Sequence, residues 1–283
     1  MSGGPRVLVT GHRGGVGAPV AAHLAGLGWE VAGFDRADGQ DVLDPGQVRQ
    51  AAEGCDAIVH LAALAHDTAG RPEDIMAVNV LGTWHVLLGA EAAGAGRVIH
   101  FSSAQVFGIA EAERQPDYLP VDDAHPRRAT RPYGLSKCLA EDLCAGFTAR
   151  TGIASVSLRP VWVWDPGQYR RMEAQWRAEP ASEWTPYWEY GGFVDVRDVA
   201  RAVELALSVP LTGHHRALLC AADIAATAPS LDLAARLTPE VPVRDPAEYR
   251  AEPWRAWFDC SAAEAILGWR PRHRWSARGQ LGG

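Results

Sequence analysis

A glycine-patterned turn between a strand and a helix constrains this chain more than any other stretch. Val7-Leu8-Val9 is a short apolar run of the kind that forms a buried strand. It leads into Thr10-Gly11-His12-Arg13-Gly14-Gly15-Val16-Gly17, and a helix follows with Val16, Val20, Leu24 and Leu27 on one side. Gly11, Gly14 and Gly17 have the spacing Gly-x-x-Gly-x-x-Gly. Gly11 permits the tight turn, Gly14 lets backbone approach a pyrophosphate, and Gly17 allows close helix–strand packing. The start of the helix then offers N–H groups to phosphate. The spacing alone is weak evidence. Its place between strand and helix predicts a dinucleotide site built from Gly11, Arg13, Gly14, Gly15, Val16 and Gly17.

The next elements extend that site. A second strand, Glu30 to Phe34, ends at Asp35. An acid there, about 20 residues past the glycines, suits a ribose 2′-hydroxyl and repels a 2′-phosphate, so NAD is expected. Arg13 and Arg36 could instead hold a 2′-phosphate, which leaves NADP possible, although Arg36 alone reads as a solvated loop charge. Asp41 and Val42 fall where they can edge an adenine. Asp44-Pro45 reads as a helix cap. A third strand, Ala57 to Leu61, precedes Ala62 and Ala63, small residues against which a cofactor can lie. Asn79 sits inside a long helix, about Glu73 to Ala93, where its amide needs partners. His60 and His66 read as structural, because no paired His or carboxylate has metal spacing; no metal is expected.

The chemistry is carried by residues 102–137. A fourth strand, Arg97 to Ser102, delivers Ser103. Tyr133 and Lys137 are four apart on a helix and share one face. A lysine ammonium favours the phenolate, so a tyrosine of ordinary pKa about 10 can work as a base nearer neutrality. Ser103 can hold a substrate oxygen while Tyr133 takes the proton. A fifth strand, Ala154 to Pro160, completes an alternation of strands and helices that predicts an α/β fold. Its core is a doubly wound parallel Rossmann sheet with a small C-terminal substrate lobe. Residues 1–160, with 193–222 returning, read as the NAD(P)-binding domain; 161–192 and 223–283 read as the lobe.

Composition separates the two halves and excludes several functions. Nine of the eleven tryptophans lie after residue 160. Trp162, Trp164, Trp176, Trp184, Trp188, Tyr169, Tyr187 and Tyr190 cluster in the stretch that breaks the strand–helix pattern, where they either wall a ligand cleft or pack a small core. The net charge is −7, with no basic patch for nucleic acid and no polybasic helix for a membrane. No transmembrane helix is expected, because no apolar run of about 18 residues is seen. No signal peptide is visible. Five cysteines without a Cys-x-x-Cys fit thiols in a reducing cytoplasm.

The chain resembles the extended short-chain dehydrogenases/reductases of the NAD-dependent epimerase/dehydratase group. The matching pieces run in order: the Thr10–Gly17 turn, His60-Leu61-Ala62-Ala63, Asn79-Val80-Leu81-Gly82-Thr83, Ser102-Ser103-Ala104, Tyr133-Gly134-Leu135-Ser136-Lys137, Leu158-Arg159-Pro160, Phe193-Val194-Asp195-Val196-Arg197-Asp198 and Leu267-Gly268-Trp269. The resemblance implies Ser103, Tyr133 and Lys137 as catalytic residues. Lys137 would also hold the nicotinamide ribose, and Leu61, Asn79 and Pro160 would join the cofactor set. It further implies a sugar or nucleotide-sugar substrate and a homodimer through a four-helix contact.

Three departures narrow the resemblance. Dehydratases of the group carry an acidic pair after the catalytic Ser or Thr; here Ala104 and Gln105 stand there, so dehydration is disfavoured. Trp162 occupies the place where epimerases usually have Asn. Gly191 and Gly192 stand where an arginine usually pairs with a nucleotide diphosphate, and the 161–192 stretch is short for a nucleotide-sugar enzyme. The Gly14–Gly17 and Tyr133–Leu143 runs are similar to those of uronate dehydrogenases. The expected function is an NAD-dependent oxidoreductase acting on a secondary alcohol of a small sugar-like substrate, with Ser103, Ala104, Gln105, Trp162 and Trp164 near that substrate. Arg159, Arg170 or Arg171 could pair a carboxylate, although each reads more readily as a surface charge, and Asp122-Asp123 reads as a solvated pair. A sugar epimerase using the same three residues is the alternative. A dinucleotide-sensing binding protein is disfavoured, because such proteins lose the Tyr or Lys.

Overall fold

The computed structural model describes residues 4–110, 113–178, 189–226 and 228–275. Trp184, Tyr187 and Trp188 lie outside the described residues. Six strands form one parallel sheet: β1 (Arg6–Thr10), β2 (Glu30–Phe34), β3 (Ala57–His60), β4 (Arg97–Phe101), β5 (Ala154–Pro160) and β8 (His214–Leu219), in the order β2-β1-β3-β4-β5-β8. The order turns at β1, which has β2 on one side and β3 on the other. The crevice beyond their carboxyl ends is where this type of sheet receives ligands.

Alternation along the strands sorts the core into two layers. Val7, Val9, Val59, Ile99 and Val156 face one way, onto Val20 and Leu24 of α1 (Gly17–Gly26) and Val199 and Val203 of α7 (Val196–Ser208). Leu8, Ile58 and Val98 face the other way, onto Val48 of α2 (Pro45–Ala52), Val86 and Leu87 of α4 (Gly82–Ala93), and Cys144 and Phe147 of α5 (Pro132–Thr151). Each fully buried aliphatic side chain contributes about 1.5–3 kcal/mol, which is why β1, β3 and β4 carry apolar residues on both faces, whereas β5 turns Ser155, Ser157 and Arg159 to one side. Asp44 caps α2 as its pairing with Pro45 predicts, its carboxylate accepting from Gly46 and Gln47 N–H.

The long helix expected at 73–93 is built in three pieces. α3 (Pro72–Met76) passes into one π-helical turn (Ala77–Leu81) and then into α4. By length and composition alone the 72–93 stretch is apolar enough to cross a membrane, where the sequence was expected to hold no such run. The sheet covers only part of it.

Residues 161–192 carry more order than expected. β6 (Trp162–Trp164) pairs in parallel with β7 (Phe193–Asp195), and α6 (Pro166–Ala178) follows β6. Trp164, Met172, Trp176, Phe193, Ala221, Ala225 and Trp275 form a buried core of their own. Trp164 stacks on Phe193 at 4.7 Å and meets Trp275 edge-on at 5.6 Å. α8 (Ser230–Leu237), α9 (Pro246–Ala251) and α10 (Ser261–Leu267) complete the described chain.

Candidate active site

The glycine turn sits at the switch point of the sheet. Gly11 has φ +72°, and a Cβ there would lie 2.8 Å from Ala62 N, so the turn and the loop after β3 touch through backbone. A Cβ on Gly17 would lie 2.0 Å from Gly11 O, closer than any real contact, so only glycine lets α1 start here. Gly15 faces open space. No side chain caps the N-terminus of α1, and its first turn has no acid. The turn therefore fits a pyrophosphate by shape and by dipole.

This cradle is one wall of a cleft of about 960 Å³. Gly11, Gly14, Gly15, Val16, Gly17, Asp35, Arg36, Asp41, Val42, Leu61, Ala62, Ala63 and Pro160 line it, together with Ser103, Gln105, Tyr133, Lys137 and Trp162. Asp35 is held in place: its Oδ2 accepts from Arg13 N at 3.0 Å and its Oδ1 from Ala37 N at 2.9 Å. The Asp41 carboxylate is likewise tied back, accepting from Leu43 N at 2.9 Å.

Four expected site residues lie off the cleft surface, each for a physical reason. The Arg13 guanidinium is turned onto Asp38, with Nε donating to Oδ2 at 2.7 Å. Ala104 is 1% exposed and packs in the core beneath the loop. Trp164 is held by the lobe's aromatic core. Asn79 spends its whole amide internally: Oδ1 accepts from Leu64 N at 2.8 Å, while Nδ2 donates to Leu64 O at 3.0 Å and to Ser136 Oγ at 2.9 Å. From its π-helical turn it ties the cleft loop to the helix bearing Tyr133.

The reacting end is assembled from β4 and α5. Ser103 adopts extended backbone just past β4, and its Oγ accepts from Gln105 N at 3.2 Å, leaving its own O–H to donate outward. Asp67, in the cleft loop, accepts from Tyr133 N at 2.7 Å and so caps the first turn of α5. Ser136 Oγ donates to Tyr133 O at 2.7 Å. Lys137 Nζ donates to Phe101 O at 2.7 Å and lies 5.7 Å from the Tyr133 ring centroid. Burial pushes the Lys137 pKa down to about 8. His60 is buried between Thr10 and Thr83, with Nδ1 and Nε2 at 2.7 and 3.0 Å from their hydroxyls. Burial, with the Lys137 charge, depresses its pKa to about 3, so the imidazole is a neutral fixture that braces the strand ends.

Behind the cleft lies a buried ion network that the sequence reading missed. Ser102 Oγ donates to Glu141 Oε1 at 2.7 Å. Arg159 holds Glu141 through Nε at 2.8 Å and Nη2 at 2.7 Å, and reaches Asp123 Oδ1 at 3.0 Å. Arg216 and Arg127 add further contacts to Glu141 at 2.9 and 3.3 Å. Burial acts to raise the Glu141 pKa, but the Arg159 hydrogen bonds outweigh it and the carboxyl stays ionised. Arg159 is 1% exposed, so it is neither a surface charge nor a substrate ligand, and Asp123 is not a solvated acid. The available signal was an arginine between Leu158 and Pro160 at the end of a strand run, which must be paired if buried, and an acid one helical turn past Lys137. Arg171 pairs with Gln168 on exposed α6 and does not line the cleft.

The comparisons with known proteins agree with this geometry. The model of the NAD dependent epimerase/dehydratase family matches residues 7–220. This chain belongs to that family. It is an NAD-dependent enzyme of the extended short-chain dehydrogenase/reductase type. A uronate dehydrogenase of Pseudomonas putida is 30% identical over 222 residues, covering 74% of this chain and 74% of that protein. A UDP-glucose 4-epimerase of Streptomyces lividans is 31% identical over 177 residues, covering 56% of this chain and 51% of that protein. Among solved structures, MoeE5 in complex with UDP-glucose and NAD superposes with TM-score 0.69 at 25% identity, over 98% of this chain and 96% of that one.

Proposed function

We propose that this member of the family is a dehydrogenase that oxidises a secondary alcohol of a free sugar or sugar acid. The observation that carries this reading is the lining of the cleft. Among the described residues, Arg36 is the one lining arginine, and it belongs to the adenosine end beside Asp35. At the reacting end the lining is Ser102, Ser103, Gln105, Tyr133, Lys137, Trp162 and apolar residues. Among the described residues, no guanidinium stands there for a nucleotide diphosphate. Gln105 stands where dehydration needs an acid. The uronate dehydrogenase matches, which span more of the chain than the epimerase match, support the same reading.

The residues divide the work as follows. NAD supplies the hydride acceptor. Ser103 donates its hydroxyl proton as a hydrogen bond to the substrate oxygen. Tyr133 takes the proton of that oxygen. Lys137, fixed by Phe101 O, places a cation beside the phenol and favours its ionised form. Asp35, Asp41 and Val42 receive the adenosine half and the glycine turn the pyrophosphate. Trp162 forms an apolar wall for a sugar ring. We assign the cofactor domain to residues 1–160 and 193–222, and the substrate lobe to 161–192 and 223–283. The separate aromatic core supports this division. The five cysteines are all thiols, which supports a reducing cytoplasm. The apolar outer face of α4 and α5 supports a homodimer.

NADH absorbance is the test. Glucuronate, galacturonate and the parent aldoses are offered with NAD, alongside UDP-glucose and UDP-glucuronate. NADH should form with a free sugar or sugar acid. Conversion of a UDP-sugar to its epimer without net NADH would overturn the dehydrogenase reading in favour of epimerisation.

A further inference from the structure

Two arginines stand near the ribose end, and the structure treats them differently. Arg36 is exposed and lines the cleft. Arg13 lies within the glycine turn, yet its guanidinium is engaged by Asp38 through both Nε and Nη2. His12 Nε2 approaches the same carboxylate at 3.4 Å, and the His12 ring lies against Gly33, where a Cβ would come within 2.6 Å. Asp38 is itself fixed. It ends the single 3-10 turn Arg36–Asp38, which Asp35 caps at Ala37 N and Gly39 terminates with φ +79°. The same Asp35 carboxylate accepts from Arg13 N. Asp35, Asp38 and Arg13 are thus one constructed corner.

From this corner we infer that Asp38 is a second determinant of NAD over NADP, acting by holding Arg13 away from the place a 2′-phosphate would occupy. The inference rests on the reading that this cleft binds NAD. A 2′-phosphate draws guanidinium groups strongly, and Arg13 is near enough by chain position to swing toward it. To do so it must leave a two-point contact with an acid fixed by its turn. Asp35 repels the phosphate directly; Asp38 withholds the cation that would compensate. Removing Asp38 while keeping Asp35 should therefore weaken discrimination without creating any new group.

The test is a double-mutant cycle read by binding. NAD and NADP are titrated calorimetrically into the wild type, Asp38→Ala, Arg13→Ala and the double variant. Asp38→Asn serves as a second variant that keeps the shape of the turn. The ratio of the NADP to the NAD dissociation constant should fall about tenfold in Asp38→Ala, the scale of one charge-assisted hydrogen bond to the phosphate. It should fall in the same direction in Asp38→Asn. In the double variant the ratio should return to that of Arg13→Ala, because the released cation is then missing. An unchanged ratio in both Asp38 variants would overturn the inference. So would an equal fall in the double variant, which would assign the effect to the charge of Asp38 alone. A wild type that binds neither dinucleotide would overturn the cofactor reading itself, and this inference with it.

Discussion

Tyr133 and Lys137 depend on contacts that neither could make alone. The tyrosine is aimed by Asp67 at its backbone N–H and by Ser136 at its carbonyl; the lysine is aimed by Phe101 O. Tyr133→Phe removes one hydroxyl and none of these backbone anchors. Turnover should fall by about two orders of magnitude or more, the usual scale for a proton-transfer group, while NAD binding and melting temperature stay near the wild type. Steady-state kinetics beside calorimetry checks this; near-normal turnover would remove Tyr133 from the chemistry. At this scale the sequence was most legible where one residue type has few other uses. Ser103, Tyr133, Lys137 and the glycines were each readable as candidates from spacing and neighbours, and the fold brings them to one cleft. Arg159, Glu141 and Asp123 were not. Each makes sense only beside partners from distant segments, and no local pattern encodes that convergence.

Among the elements, the turn and α1 show how much function rests on backbone approach. Gly11 and Gly17 were legible because a side chain does not fit their geometry, and the contact of Gly17 with Gly11 O states the reason in ångströms. Gly17→Ala places a methyl 2.0 Å from Gly11 O. Backbone must move, so either α1 shifts off the sheet or the turn opens. Both outcomes should lower stability by about 1–3 kcal/mol, the scale of overpacking, and weaken NAD binding. Denaturant unfolding with and without NAD checks this, and a variant with wild-type stability and affinity would show that the turn is more compliant than its contacts imply. The first five strands were legible almost to the residue, since apolar runs bounded by turns have few readings. The β6–β7 pair and α6 were not. Their tryptophans announce burial but carry no clear period, and the parallel pairing joins residues about thirty positions apart. The π-helical turn was also invisible, because Asn79 marks a need for partners without saying how the backbone meets it.

At the scale of the whole molecule, the outer face of the two long helices is apolar. α5 carries two stripes at four-residue spacing. Tyr133, Lys137 and Glu141 point inward to the cleft and its ion network, while Leu135 and Leu139 are 37% and 42% exposed. Beside Leu139 and Leu143, the 72–93 helix presents Met76, Val80, Leu81 and Trp84, and together they line an apolar groove. This accounts for the high hydropathy of the 72–93 stretch: one side packs under the sheet and the other lines the groove. A patch of this kind marks an interaction surface. A second copy is the simplest occupant, since a two-fold axis would set the same stripe against itself and bury Leu81, Leu135 and Leu139 at once. Light scattering should then give twice the chain mass of 30.4 kDa, and Leu81→Glu with Leu139→Glu should return it to one chain mass with the helical circular dichroism retained. Both substituted side chains are partly solvent-facing in the single chain, so the monomer should fold. Because the inner stripe of the same helix carries Tyr133 and Lys137, the double variant should also lose turnover more than it loses NAD affinity. A wild type of single-chain mass at micromolar concentration would sink the pairing, and a requirement for detergent would assign the face to lipid instead.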